Sequence, residues 1–399
     1  MSLSAWRKVK VSDFIKFNPK EILEKKYVGK KIGMDKLAPF TRKIEGFEIA
    51  KFSGGSKFRN GDTLVARISP CLENGKTAQV SILDRNEVGF GSTEYIVLRK
   101  KDGLSDENYI YYFAISPYFR NTAIKSMSGT SGRQRVQQSE LENIVVSIPN
   151  LSEQRSIAAT LSCLDDKIEV NAKINHNLEE MAQTIFKSWF IDFEPWNGER
   201  PTNWFQGRLG DYVDVRRGGS PRPIQAYLSE TGFRWLKISD VTRLETPFVL
   251  RIKEHIKKSG LKKTVFLKAG SLVLSNSATP GIPKILCVDT CVHDGWLYFP
   301  TSIFSNEFLY LLFKHIRQDL LSLGNGSIFT NLKTDILKNY MILVPEKSVL
   351  FRFNKLVLPL FQAMEKSTRE MAMLEDIRNV LLPKLMSGEI RVPTEKTVG

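Results

Sequence analysis

The side chains that could do chemistry fall short of each constellation they suggest. Methylating an adenine amino group calls for Asn or Asp followed by Pro-Pro and an aromatic residue beside the extruded base. Asn18-Pro19-Lys20 lacks the second proline and the aromatic ring. A phosphate-binding loop needs glycine where its backbone wraps the phosphate, and the run ending Gly75-Lys76-Thr77 has Pro70 at the first of those places. A strand turn with an exposed lysine fits it better. Cys287, Cys291 and His293 are zinc-ligand types without a second pair at a familiar spacing, so no metal is expected. Glu24-Lys25-Lys26 carries only the tail of a nuclease carboxylate and lysine pattern and reads as a charged helix end. His176, His255, His293 and His315 have no carboxylate or nucleophile partner recognisable in the sequence. These residues predict no catalytic site and no cofactor in this chain.

What the chain does supply is forked and cationic side chains near glycines. Lys57, Arg59, Arg67 and Lys76 flank a turn at Gly61, while Arg133, Gln134 and Arg135 follow Gly129-Thr130-Ser131-Gly132. Further along, Arg216, Arg217 and Arg222 sit in a loop rich in Gly and Pro, and Lys284 and Lys333 occupy places similar to the earlier basic sites. Lys and Arg suit phosphates, and Arg or Gln can donate in pairs to base edges. The net charge of +15 and pI near 9.5 favour a polyanionic partner, nucleic acid first, with an acidic protein or membrane surface as the other classes. No run of about 18 apolar residues occurs and the start, Met1 to Lys10, has no apolar signal core, so a cytosolic protein is expected. The scattered Cys71, Cys163, Cys287 and Cys291 suit a reducing compartment.

The elements that must position these groups are organised by an internal repeat. Trp6, Val11, Asp13 and Phe14 recur 198 positions later as Trp204, Leu209, Asp211 and Tyr212. Leu141, Asn143, Ile144 and Pro149 recur 196 positions later as Leu337, Asn339, Tyr340 and Pro345. Between these marks, Gly61 to Val65 parallels Gly270 to Val273, each a turn feeding an apolar strand. Glu94 to Arg99 alternates as a strand, and Asn108 to Tyr118 and Asn306 to Ile316 have helical spacing.

Each copy is followed by a heptad seam. The first reads Ile157, Leu161, Leu164, Ile168, Asn171, Asn175, Leu178, Ala182, Ile185 and Trp189. The second reads Phe353, Val357, Leu360, Met364, Ser367, Met371, Leu374, Arg378, Leu381 and Leu385. At 1.5 Å per residue the first seam is about 48 Å long. Ser152 and Glu153 mark its helix start, Glu194-Pro195 its end, and Pro359 and Pro383 should kink or shorten the second helix. Two seams of equal length most simply bury each other, with Asn171, Asn175, Ser367 and Arg378 setting register or meeting other chains. The predicted fold class is α+β: two similar mixed α/β domains joined by two long antiparallel helices forming a coiled coil, with pseudo-two-fold symmetry. The expected boundaries are a domain at 1–150, a helix at 151–194, a domain at 195–345, a helix at 346–392 and a tail at 393–399.

At this point the chain resembles the specificity subunits of Type I restriction-modification systems. The resemblance is carried by Leu151-Ser152-Glu153-Gln154-Arg155-Ser156-Ile157-Ala158 opening the first helix and by Leu381 to Ile390 closing the second. The loop at Gly129 to Gly132 before Leu141, and Gly324 to Gly326 before Leu332, are similar to that family's loop near the end of each recognition domain. The resemblance implies two target-recognition domains, each reading half of a bipartite double-stranded DNA site. It also implies two docked methyltransferase subunits that use S-adenosylmethionine on adenine N6, and a restriction subunit that can join them. A homodimeric transcriptional or architectural DNA-binding protein is the alternative class, needing no methyltransferase. A self-contained restriction or modifying enzyme is a second alternative, which an activity assay on the pure chain would reveal.

Overall fold

The computed structural model describes residues 5–130, 132–242, 244–323 and 331–393. Ser131, Gly324 to Gly326 and most of the expected tail therefore lie outside the described residues. Two compact units emerge, one of residues 1–168 with 373–399 and the other of 169–372. Each holds one mixed α/β domain together with a stretch of both long helices.

The repeat read from the sequence reappears as a repeated hydrogen-bond pattern. In the first unit Arg7–Lys10 pairs antiparallel with Val145–Ile148, and in the second Phe205–Arg208 pairs with Met341–Val344. The registers correspond: Arg7 faces Ile148, and Phe205 faces Val344. Just after these ladders, the Val11 amide donates to Ile144 O at 2.9 Å and the Leu209 amide to Tyr340 O at 2.9 Å. The residues that marked each copy's start and finish thus tie the chain's entry into a domain to its exit.

Inside the first domain a four-stranded sheet runs in the order Ile15–Phe17, Tyr95–Lys100, Thr63–Ala66, Thr77–Gln79. Tyr95–Lys100 is the strand expected from Glu94 to Arg99, but its alternation is not between core and water. Tyr95 and Val97 enter one apolar cluster, and Ile96 and Leu98 another. Leu64 and Val65 divide in the same way. The second domain repeats the device in a five-stranded sheet, where Leu272 and Leu274 face one cluster and Val273 the other. Gly61 and Gly270, with φ of +89° and +90°, make the turns before these strands in a region that favours glycine. The helical spacings resolve into Glu107–Ile115, capped by Asp106, and Asn306–His315, capped by Ser305.

The first long helix, Leu151–Phe190, contains neither Gly nor Pro. Its cap is Asn150, whose Oδ1 accepts the Glu153 amide at 2.9 Å, and not Ser152 or Glu153 as expected. Glu153 is buried instead, accepting the Trp6 indole N–H at 3.3 Å and the Arg391 guanidinium, with Nη2 at 2.7 Å. The buried Gln154 amide accepts the Asp106 amide at 3.0 Å and donates to Leu104 O and Pro149 O at 3.1 Å. The run beginning Leu151-Ser152-Glu153 is thus a set of structural anchors.

The second long helix, Lys347–Ser387, runs unbroken through Pro359 and Pro383, which corrects the expectation that they shorten it. Both prolines are exposed, where water can satisfy the carbonyls left without an amide donor. Gly388 ends the helix at φ +76°, and a Cβ there would meet the Trp6 ring at 3.3 Å.

Of the seam positions, Ile157, Leu161, Asn171, Asn175, Ala182, Phe353, Val357, Met364, Arg378 and Leu385 are buried. Elsewhere the buried line slips by one residue. Asp165 is buried rather than Leu164, Glu179 rather than Leu178, Phe186 rather than Ile185, Phe361 rather than Leu360, and Leu382 rather than Leu381. Ile168 and Leu374 are half-buried. A strict heptad loses about 20° per repeat against a straight helix, and each helix also packs on its unit's domain. Leu178, Ile185, Leu360 and Leu381 still flank the cores. In the second unit Asn171 Nδ2 donates to Glu370 at 2.9 Å and Asn175 Nδ2 to Thr368 at 3.1 Å. In the first, Arg378 pairs with Asp165 at 2.7 Å. These pairings fix an antiparallel register within each unit.

Candidate nucleic-acid interface

In the first domain two of the basic candidates, Arg67 and Arg135, converge on one acid. Glu94 lies in the turn leading into strand Tyr95–Lys100 and binds the Arg135 guanidinium through Nε, at 3.0 Å to both oxygens, and Nη2 at 2.8 Å. Arg67 Nε approaches the same carboxylate at 3.7 Å. The Arg135 hydrogen bonds hold the Glu94 carboxyl below its ordinary pKa. Backbone bonds pin the loop carrying Arg135: Ser128 and Arg135 exchange amide bonds at 3.0 and 2.9 Å, and the Ser69 amide donates to Gln134 O at 2.9 Å. Gly129 and Gly132, at φ +122° and +76°, allow the loop to close, and Arg133 stands exposed on it.

The second domain places an acid at nearly the same turn. The Arg67 amide donates to Glu94 O, and the Asn276 amide to Gly295 O, both at 2.9 Å, so Asp294 sits one residue earlier than Glu94 in the matching frame. Ser220 Oγ donates to Asp294 Oδ1 at 2.6 Å, Arg222 Nη2 to Oδ2 at 3.2 Å, and Arg217 Nε to the backbone O at 2.5 Å. The Ser220 hydrogen bond, followed by the Arg217 charge, lowers the Asp294 pKa. Gly218 permits this close approach, because a Cβ there would lie 2.2 Å from His293 O. Arg216 pairs separately with Asp214 at 2.8 Å. His293 Nδ1 accepts the Gly295 amide at 2.8 Å, and burial lowers its pKa.

The remaining candidates are placed elsewhere. Lys284 is a correction: it is 4% exposed and donates to the backbone of Leu244 and Thr246, with burial lowering its pKa to about 8. Its neighbours Ile285 and Leu286 feed two cores, so a lysine there cannot reach a groove. Lys76, expected to be exposed, donates to Met34 O at 2.6 Å, and Lys57 to Glu21 O at 2.8 Å. Arg59 grips Glu21 with Nε at 2.7 Å and Nη2 at 2.9 Å, beside the Arg99 and Asp62 pair. Lys25 and Lys26 form a turn, not a helix end. Lys333 is exposed before the short helix Thr334–Asn339. The Leu332 amide donates to Asn276 O and the Val136 amide to Arg67 O, both at 2.8 Å, so the two copies of this loop return to the same place.

The organising acids were missed by a search for cations. Their one signal is an acid within two residues before an aromatic that opens the central strand, Glu94-Tyr95 and Asp294-Gly295-Trp296. Among the described residues no His, Cys, Asp or Glu group is arranged to hold a metal, and no helix is long and apolar enough to cross a membrane.

Two duplicated mixed α/β domains, each carrying arginines gathered at one turn and packed on paired long helices, define a two-domain reader scaffold. The chain belongs to the Type I restriction modification DNA specificity family, whose domain matches residues 4–180 and 201–349. It is 29% identical over 317 residues to the Type I restriction enzyme MjaIX specificity subunit of Methanocaldococcus jannaschii, covering 73% of this chain and 71% of that one. It is 24% identical to the HindI specificity subunit of Haemophilus influenzae, covering 83% and 87%. The crystal structure of the Type I restriction-modification S subunit from M. genitalium shares the fold, with a TM-score of 0.57 at 18% identity over 96% of each chain.

Proposed function

We propose that the chain reads a bipartite double-stranded DNA target, one half with each domain, and holds two adenine-N6 methyltransferase subunits upon it. The arginine groups gathered by Glu94 and Asp294, at matching turns of a duplicated domain, carry this reading. Arginine forks suit guanine edges, and loops on a rigid sheet are where readers are commonly mounted. S-adenosylmethionine belongs to the methyltransferase partners, and a restriction subunit joins the same cytoplasmic complex. The chain itself has no catalytic role: it supplies sequence choice, and the long helices supply spacing and docking surface.

Exchanging residues from about 204 to 345 for the equivalent part of a related subunit tests this. Methylation-aware sequencing of host DNA should show one specified half changed and the other retained. If both halves change together, the domains are not independent readers.

A further inference from the structure

We infer that Glu94 and Asp294 are specificity-positioning residues: Glu94 holds Arg135 by one edge of its fork so that the opposite edge is presented to a base, and Asp294 steadies Arg222 through one Nη2 contact at the matching turn. This rests on the DNA-reading function proposed above and assigns it to particular atoms.

A guanidinium offers five N–H donors in a fixed plane. Glu94 takes the side edge of Arg135, Nε and Nη2 at 2.8–3.0 Å. Among the described residues the end edge, one N–H each from Nη1 and Nη2, makes one long contact, Nη1 to Arg133 O at 3.4 Å. That edge is the donor pair that guanine O6 and N7 accept. Arg135 is 42% exposed in its side chain, so the fork is held and yet reachable. A carboxylate among basic groups opposes binding to phosphate, so its place on Arg135 favours orientation over charge.

The second domain reaches the same end with different partners. Asp294 is itself fixed by Ser220 at 2.6 Å and holds Arg222 by a single Nη2 contact at 3.2 Å, leaving that side chain 81% exposed. Arg217 donates its Nε to the backbone of the same residue at 2.5 Å. The arginines come from 67 and 135 in one copy and from 217 and 222 in the other, yet the acid occupies the same turn. The acid stands at this turn in both copies, one residue apart in the matching frame, while its arginine partners change.

The test uses the full chain and a randomised double-stranded DNA pool, with poly(dA-dT), which lacks the guanine O6 and N7 pair, as the non-specific duplex. Glu94→Gln should relax selection at a guanine in one half-site, cutting discrimination there on the order of tenfold, while affinity for poly(dA-dT) rises. Asp294→Asn should do the same in the other half only. Arg135→Lys keeps the charge and loses the fork, so it should reproduce the Glu94→Gln loss with the salt slope unchanged. It also serves should Glu94→Gln not fold. Unchanged selection in Glu94→Gln, or an equal loss on every duplex, overturns the positioning role and leaves the DNA-reading function standing. A wild-type chain that selects no motif overturns both.

Discussion

The Tyr112 hydroxyl donates to Asp165 Oδ2 at 2.7 Å in the buried interior of the first unit, joining a domain helix to a long helix. The tyrosine 198 positions later, Tyr310, donates to Glu179 at 2.7 Å in the second unit. Both acids lie on the first long helix, so that helix carries one anchor for each domain. Arg378 occupies the other Asp165 oxygen at 2.7 Å.

Removing Asp165 should therefore cost more than removing its neutral partner. Asp165→Ala strands a buried guanidinium and is expected to destabilise by about 3–5 kcal/mol. Tyr112→Phe loses one hydrogen bond and leaves the carboxylate with Arg378, costing about 1–2 kcal/mol. Denaturant unfolding of the full chain reads both. Equal losses would show that the arginine draws no stability from Asp165.

Lys284 gives a pH signature. Burial lowers its pKa from 10.5 to about 8, so in that range the unfolded chain binds more protons than the folded one. Stability held by this group therefore rises with pH between those values. Relative to a Lys284→Met variant, the native chain should gain on the order of 2 kcal/mol from about pH 8 to about pH 10. Thermal unfolding across that range measures the difference. Parallel profiles would put Lys284 back in solvent, and a shallower salt slope for DNA in the variant would return it to the interface.

The spacing role proposed for the helices can be read in base pairs. Adding four residues to the first long helix between Ile168 and Asn171, and four to the second between Glu370 and Arg378, keeps the Asn175–Thr368 and Asp165–Arg378 pairs. Each helix lengthens by about 6 Å and nearly keeps its face. The unspecified spacer should grow by one or two base pairs of about 3.4 Å, with both specified blocks unchanged. Methylation mapping of the doubly extended chain decides it, and an unchanged spacer would end the ruler role.

The duplication was legible because Trp6 and Trp204, and Ile144 and Tyr340, stand at nearly equal offsets, 198 and 196, that no packing detail can hide. Arg135 was legible because glycines bracket its loop. Glu94 and Asp294 were not, since an acid looks like a defect in a basic surface until its arginines are seen around it. Lys284 misled because a lysine reads as surface by type, and only the second sheet layer buries its strand on both faces. The long helices were legible in extent but not in phase. A heptad written along the chain cannot register the domain packed against the helix, and that domain moves burial from Leu178 to Glu179 and from Ile185 to Phe186.

The strands that serve two apolar clusters at once leave the first domain without a separable layer. Leu64 and Val97 belong to one cluster, and Val65 and Ile96, their neighbours on the same two strands, to the other. Opening either cluster pulls residues from a strand that the other still grips, so the two melt together. Amide protons on Thr63–Ala66 and Tyr95–Lys100 then exchange with solvent only when the whole domain opens. The turn carrying Glu94, which opens one of these strands, thus stands on a cooperative, all-or-none scaffold.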